Sequence, residues 1–181
     1  THHAPFDNLD AAQPFFVAMT RDLIRLLSSS TSDGIGWRVD LRLRPDPGAT
    51  AVSIDLTAAI SYYESIARTW ERAAFIRARP VAGDLALGNI FLRQIQPFIW
   101  RKTLDYTVMD DMKTMLRRPP QANSWHGYNL KTGKNGIRQI EVFTHVLQLV
   151  AGGRHKKLRH RNSLAALHPL ATAKWITTEQ S

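Results

Sequence analysis

Apolar residues recur at helical spacing along much of the chain. In residues 10–27, Phe15, Met19, Leu23 and Leu26 follow one another at intervals of three or four, which predicts an amphipathic helix. Capping residues, glycines and prolines delimit further helical stretches. The predicted helices after the first cover residues from Ser53 or Asp55 to 66, 70–79, 83–95, from Pro97 to before Pro119, 136–150, and a last helix capped by Asn162.

One segment follows the two-residue period of a strand instead. From residue 37 to 44 apolar and charged side chains alternate strictly, which predicts a strand with an apolar back and a charged front. The apolar face would carry Trp37, Val39, Leu41 and Leu43, and the charged face Arg38, Asp40, Arg42 and Arg44.

A second short strand is predicted near residues 128–131. One clear strand cannot form a sheet, so either its partner is hidden in the sequence or the chain is a piece of something larger. The pattern as a whole predicts an α+β fold that is predominantly α-helical.

Composition narrows the function classes. The chain has 181 residues, a net charge of +9, 44% hydrophobic residues and no cysteine. That length fits one domain or two small ones, and the absence of cysteine excludes disulfides and thiolate metal sites. No apolar run approaches a membrane span and no secretory signal is seen, so we expect a soluble, cytoplasmic protein with no membrane partner.

The positive charge implies an anionic partner: a nucleic acid, a nucleotide, phosphate or an acidic protein surface. A nucleic-acid-binding module would show a recognition helix or a basic stripe interleaved with aromatic residues, and the sequence shows neither. We therefore expect no nucleic-acid partner.

The charged face of the predicted strand is the most informative chemical pattern. It places the carboxylate of Asp40 among the guanidinium groups of Arg38, Arg42 and Arg44. Guanidinium groups bind phosphate oxygens in pairs, and an aspartate beside them can hold Mg²⁺ or act as a base. The alternative is a solvated strand on which Asp40 simply pairs with Arg38 or Arg42.

The same segment carries a family resemblance. "GWRVDLRLRPDPGA", residues 36–49, resembles the "VDLRLRP" signature of the glutamine synthetase adenylyltransferase/adenylyl-removing enzymes. The likeness extends over roughly residues 10–171, with four further motifs in the family's order. These are "YYE" at 62–64 with "WERAA" at 70–74, "RARPVAGD" at 77–84, "PFIWRK" at 97–102 with "LDY" at 104–106, and "KTGKNGIRQIE" at 131–141 with "QLVAGGR" at 148–154.

The resemblance implies a fold and a function. The family is built on two nucleotidyltransferase domains like that of DNA polymerase beta, each followed by a helical domain. One half adenylylates a tyrosine of glutamine synthetase with ATP, and the other removes the AMP by phosphorolysis and releases ADP. "DLRLRP" and the "GIREIEF" form resemble the removing half.

By resemblance, residues 1–82 are then the C-terminal portion of a nucleotidyltransferase domain, and residues 83–181 are a helical domain of the adenylyltransferase/uridylyltransferase type. Glutamine synthetase and the PII signalling protein are the implied partners. The alternative function is a non-catalytic helical module that binds glutamine synthetase or PII.

The resemblance also implies a site in which three carboxylates hold two Mg²⁺ ions. Asp40 matches the third carboxylate, as metal ligand and catalytic residue. The other two belong to a G-S…D-x-D element, which the sequence does not contain, so we expect this chain alone to be inactive. Candidate nucleotide- and phosphate-binding residues are Arg42, Arg44, Arg77 and Arg79, and candidate positioning residues are Glu71, Arg138 and Glu141.

Several of these residues also have plainer interpretations. Glu71 fits a surface helix near Arg68, and Arg77 and Arg79 fit a solvated helix end. Gln139 stands where the family usually keeps an acidic residue, and Asn135 stands in a glycine turn whose positive φ asparagine tolerates. The basic run 155–161 fits a solvated connector better than a docking site for an acidic protein. Three tryptophans are expected in the core: Trp37, Trp70 and Trp100.

Overall fold

The computed structural model describes residues 9–103, 110 and 128–177. These residues are mostly helical, with a two-stranded sheet of four residues. None of the described helices is long and apolar enough to cross a membrane. Two compact units are present, residues 1–67 and 68–181. The predicted domain boundary between residues 82 and 83 stays a prediction.

The first unit contains two helices and a small hairpin. Helix α1 (Leu9–Ser28) keeps most of its apolar stripe exposed, including Phe15 and Leu23. Strands β1 (Ser30–Thr31) and β2 (Gly34–Ile35) pair antiparallel, and Gly34 takes the positive φ of 102° that the tight turn requires. Helix α2 (Leu56–Ser65) follows Asp55, whose carboxylate accepts the Ala58 N–H, so of the two predicted caps, Ser53 and Asp55, the structure uses Asp55.

The predicted strand at residues 37–44 is absent, and that prediction was wrong. The segment is irregular and ends in a turn, where the Arg44 N–H bonds the Leu41 carbonyl at 3.3 Å. The Asp40 carboxylate accepts the backbone N–H of Arg42 at 3.0 Å, which offers the backbone an alternative to a sheet ladder. Trp37 is 72% exposed, so its predicted place in the core was also wrong.

In the structure, the predicted strand at residues 128–131 is instead a loop that local hydrogen bonds hold in place. The Asn129 side-chain oxygen accepts the N–H groups of Lys131 and Thr132 at 3.0 and 2.9 Å. These local bonds hold the backbone in a turn, so the segment is not extended for pairing with another strand. The Ile137 N–H bonds the Leu130 carbonyl at 2.9 Å, so the loop closes onto the start of the next helix.

The described part of the second unit consists mainly of helices, most of which bury their inward side chains. Its elements are α3 (Thr69–Ile76), α4 (Leu85–Gln94), α5 (Gln96–Ile99), α6 (Ile137–Ala151), a 3₁₀ turn (Lys156–Leu158) and α7 (Ser163–Thr172). Asp84 and Asn162 cap α4 and α7 through their side chains, which confirms both helix starts. One buried group includes Ile95, Phe98 and Ile99, and another includes Leu158 and Leu170.

The helix predicted from Pro97 stops at Ile99. Trp100 leaves the helical conformation with φ −111° and ψ 66°, and the rest of the predicted helix lies almost wholly outside the described residues. A close contact explains the stop. A Cβ on Gly152 would lie 2.6 Å from the Trp100 ring, and one on Gly153 would lie 2.0 Å from the Arg101 carbonyl oxygen. The two glycines therefore allow the end of α6 to lie directly against the chain that leaves α5.

Replacing Gly153 with alanine tests this contact. We expect Gly153→Ala to lower the free energy of unfolding by about 2 kcal/mol or more, because the new methyl group must displace backbone. Gly48→Ala is the matched control, since its Cβ would meet nothing nearer than 3.7 Å. Urea denaturation followed by tryptophan fluorescence measures both, and equal stability of the two variants would contradict the packing described.

Candidate functional site

Asp40 and Arg42 form the charged pair at the centre of the motif segment. The Arg42 Nε donates to both carboxylate oxygens of Asp40 at 2.9 and 3.0 Å, and Nη2 donates to Oδ2 at 2.5 Å. With the backbone N–H of Arg42, one residue thus makes four contacts to one carboxylate. Both side chains remain open to solvent, at 49% exposure for Asp40 and 85% for Arg42.

This pairing favours the ionised form of Asp40. The side-chain hydrogen bonds from Arg42 lower the pKa of Asp40 from 3.8 to about 2, with smaller help from the Arg42 backbone and the charge of Arg38. The pKa of Arg42 is raised by the same bonds. Near neutral pH the site therefore presents a fixed, exposed carboxylate, the kind of oxygen ligand that Mg²⁺ prefers.

Arg44 holds the turn beneath this pair. Its guanidinium donates to the carbonyls of Leu41 and Pro47 at 3.2 and 2.8 Å, and the side chain is half-buried. The Tyr63 hydroxyl of α2 donates to the Leu43 carbonyl at 3.3 Å. The turn that follows Asp40 is thus attached both to its own arginine and to a helix, which fixes where the carboxylate stands.

Asp40 belongs to no complete metal site within the described part of the chain. No group of three or more histidine, cysteine, aspartate or glutamate side chains there could hold a metal. An exposed, ionised carboxylate fits Mg²⁺ chemistry, and a site with three such side-chain ligands would need at least one from outside the described residues.

Arg77 and Glu141 meet in the second unit although 64 positions separate them in sequence. Arg77 Nη1 donates to Glu141 Oε1 at 2.6 Å, which joins the end of α3 to the first half of α6. Both side chains are partly exposed, so the pair adds little to stability. Arg79 is exposed two residues further on.

His145 lies one helical turn beyond Glu141. Burial lowers the pKa of His145, while the charge of Glu141 raises it and that of Arg77 lowers it further. Its Nε2 is 3.4 Å from the Ser163 hydroxyl at the start of α7. This histidine was not among the predicted site residues, because the sequence does not show which side chains surround it.

Glu71 and Arg72 of the "WERAA" motif are buried, at 3% and 1% exposure. The Glu71 carboxylate accepts the Arg68 N–H at 2.9 Å and caps α3, so the alternative of a surface glutamate does not hold, although Glu71 does lie beside Arg68. Its predicted positioning role stays a prediction. Arg72 Nε donates to the Ile99 carbonyl at 3.1 Å, at the end of α5. The motif thus builds the framework between α3 and α5.

The start of α6 is held by the residues of the "GIRQIE" motif. Asn135 takes φ 60°, as expected for a turn that tolerates asparagine. The Gln139 side-chain oxygen accepts the Asn135 N–H at 2.8 Å, so Gln139 takes part in ordering this turn. Arg138 is half-buried beside it.

Comparison with protein-family models divides the chain in two. Residues 5–94 match the family described as glutamate-ammonia ligase adenylyltransferase. Residues 109–181 match the one described as GlnD PII-uridylyltransferase. The two matches follow the order of the chain, with the Asp40 segment in the first and α6 and α7 in the second.

Curated relatives extend the similarity over nearly the whole chain. The chain is 48% identical, over 96% of its length, to the bifunctional glutamine synthetase adenylyltransferase/adenylyl-removing enzyme of Xanthobacter autotrophicus. It is 50% identical over 92% to that of Bradyrhizobium sp. strain BTAi1, and 47% identical over 97% to that of Mesorhizobium japonicum. The chain spans 18% of the length of each of these relatives.

The Asp40–Arg42 pair can be tested by titration. We expect the Asp40 carboxyl to titrate near pH 2 and to return towards 3.8 in Arg42→Gln, followed by NMR of the side-chain carboxyl carbon. Because the folded pKa is depressed, the pair's contribution to stability is complete above pH 3.8 and is lost as the pH falls through about 2. An Asp40 pKa of 3.8 or higher in the unsubstituted chain would disprove the pairing.

The direction in which the pKa of His145 changes tests the Arg77–Glu141 pair. We expect Glu141→Gln to lower the pKa of His145 and Arg77→Gln to raise it, because the two charges act on the imidazole in opposite directions. Imidazole proton shifts measured against pH report both changes, with Arg79→Gln as the control for the loss of a nearby positive charge. Shifts of the same sign in the first two variants would contradict the arrangement.

Proposed function

The chain belongs to the family of glutamine synthetase adenylyltransferase/adenylyl-removing enzymes, and from this premise we propose that it is part of an enzyme that regulates glutamine synthetase by reversible adenylylation of a tyrosine. More closely, we propose that the chain contributes to removal of the AMP. The observation that carries the family-level proposal is the 48% identity over 96% of the chain to a bifunctional enzyme of this kind. The removing activity is favoured by the resemblance of "DLRLRP", residues 40–45, to the removing half.

The proposed reaction is a phosphorolysis. An oxygen of inorganic phosphate attacks the phosphorus of the tyrosyl-AMP, a new P–O bond forms ADP, and the bond from phosphorus to the tyrosine oxygen breaks. The departing tyrosine oxygen takes up a proton. Negative charge accumulates on the phosphoryl oxygens during this exchange, so the site must supply positive charge and hold the reacting groups in place.

Asp40 is proposed as a metal ligand in this site. Its pKa of about 2 keeps it charged, and the four contacts from Arg42 fix its direction. Mg²⁺, when bound, would neutralise phosphate charge. We propose that the remaining carboxylate ligands come from other parts of a longer enzyme, since the curated relatives are more than five times the length of this chain.

Arg42 can orient Asp40 and contact a phosphate at the same time. Its carboxylate contacts use Nε and Nη2, and Nη1 makes no hydrogen bond to the described residues. The free edge of the guanidinium therefore still offers donors to a phosphate oxygen. Arg44 differs in that both of its terminal nitrogens donate to backbone carbonyls of the turn, so its proposed contribution is positive charge near the turn.

The remaining candidate residues have less specific proposed roles. Arg77 and Arg79 add positive charge for the nucleotide phosphates, while Glu71, Arg138 and Glu141 are positioning residues. The pairing of Arg77 with Glu141 supports a positioning role for that glutamate. Glutamine synthetase is the proposed protein substrate and PII the proposed regulatory partner, with phosphate, ADP and ATP as small substrates.

One further candidate is a non-catalytic helical module that binds glutamine synthetase or PII. The match of residues 109–181 to the GlnD PII-uridylyltransferase family favours it, because this match includes α6 and α7 and excludes the Asp40 segment. The two candidates differ in what they require of Asp40. A binding module does not need the carboxylate, whereas the removing site does.

A chimeric enzyme separates these candidates. The matching segment of the Xanthobacter autotrophicus enzyme would be replaced by this chain, and the two activities measured separately on purified glutamine synthetase. We expect Asp40→Asn to reduce phosphate-dependent ADP release at least about 100-fold, because a charged group in the transition state is lost, and to leave AMP transfer from ATP unchanged.

Asp33→Asn is the matched control, since Asp33 lies in the exposed hairpin turn of the same unit. Full ADP release in Asp40→Asn would reject the catalytic assignment and favour the binding module. Loss of AMP transfer alone would assign this segment to the opposite activity.

A further inference from the structure

A cavity of about 760 Å³ lies in the second unit, beside the 3₁₀ turn and the C-terminal half of α7. Its apolar side is made by Leu158, Pro169 and Ala173. A volume of several hundred cubic ångströms is typical of small-molecule sites, which run from about 300 to 1,000 Å³. The cavity forms no part of the Asp40 segment, which lies in the other unit.

Basic and titratable residues are also among those that line this cavity. They are Lys156 and Lys157, together with His155, His160 and His168. None of the lining residues is acidic. Neither lysine forms an ion pair with the residues that the structure describes, so their charges are available to a ligand.

The backbone that carries these cations is held firmly in place. The Gln148 amide nitrogen, buried in α6, donates to the carbonyls of Leu158 and His160 at 2.7 and 2.9 Å. Arg159 Nε donates to the Gly152 carbonyl at 2.7 Å, and its guanidinium lies 5.1 Å from the Trp100 ring centre. A solvated connector needs no such anchoring, whereas a preformed site binds more tightly because less order must be gained.

From this combination we propose that the cavity is a binding site for a small organic phosphate. The carbon body of the ligand would cover the apolar side at Leu158, Pro169 and Ala173. Its phosphate would meet Lys156 and Lys157, for which a compact dianion is a strong partner. All of its lining residues belong to the second unit, so this proposal does not rest on the proposed chemistry at Asp40.

Titration of the full chain with three probes tests the proposal. Inorganic phosphate, phenyl phosphate and AMP would be added while backbone amide shifts are followed by NMR. We expect the two organic phosphates to bind at least ten times more tightly than inorganic phosphate, with shifts at residues 155–160 and 168–173. The comparison of phenyl phosphate with AMP shows whether a simple ring suffices or a nucleoside is preferred.

Two variants separate the parts of the site. Lys156→Gln/Lys157→Gln should weaken both organic phosphates at least tenfold, while Lys131→Gln/Lys134→Gln, which removes the same charge elsewhere, should not. Ala173→Leu should weaken phenyl phosphate while leaving inorganic phosphate unchanged, because it fills only the apolar side. Asp40→Asn should change none of these affinities.

Equal affinity for all three probes would overturn the proposal. An equal loss of affinity in Lys156→Gln/Lys157→Gln and in Lys131→Gln/Lys134→Gln would also overturn it, since both results indicate nonspecific attraction by net charge. Shifts confined to the Asp40 segment would also overturn it. All substituted residues are exposed, so unchanged thermal unfolding is expected and keeps the comparison valid.

Discussion

The second unit depends on the close approach of two backbones. Gly152 and Gly153, at the end of α6, lie against Trp100 and Arg101, at the end of α5, so closely that a single Cβ would clash. Arg159 covers the Trp100 ring and bonds the Gly152 carbonyl. This contact fixes the position of α6. Helix α6 in turn places Glu141 against Arg77, and Gln148 against the carbonyls of Leu158 and His160. The two glycines of the "GGR" motif are therefore required by the packing of the second unit.

In the first unit the organising interaction is electrostatic. Asp40 and Arg42 satisfy each other without burial, and the turn that follows is held by Arg44 and Tyr63. Such an exposed pair contributes little to stability, and in the proposed function its geometry prepares the carboxylate for a metal ion. Most of the apolar stripe of α1 is exposed, and the chain spans 18% of the length of its Xanthobacter autotrophicus relative.

The sequence predicted the helices well and the strands badly. Helix starts at Asp55, Asp84 and Asn162 follow from short polar side chains that cap local N–H groups, which is information contained in a few neighbouring residues. The alternation of apolar and charged residues at 37–44 is typical of a strand, but a strand also needs a partner strand. Here the Arg42 N–H donates to the Asp40 carboxylate instead of to a neighbouring strand. The stop at Trp100 and the Arg77–Glu141 pair depend on residues about 50 to 64 positions away, which no local pattern reveals.

The central claim is that Asp40 is a metal ligand of an adenylyl-removing site, and it is tested most directly by locating the ion. Crystals of the chimeric enzyme with ADP and Mn²⁺ would be measured at the manganese absorption edge. The account predicts an anomalous peak within bonding distance of an Asp40 oxygen, with Arg42 still paired to the carboxylate. A manganese ion bound at the nucleotide with Asp40 turned away from it would contradict the account.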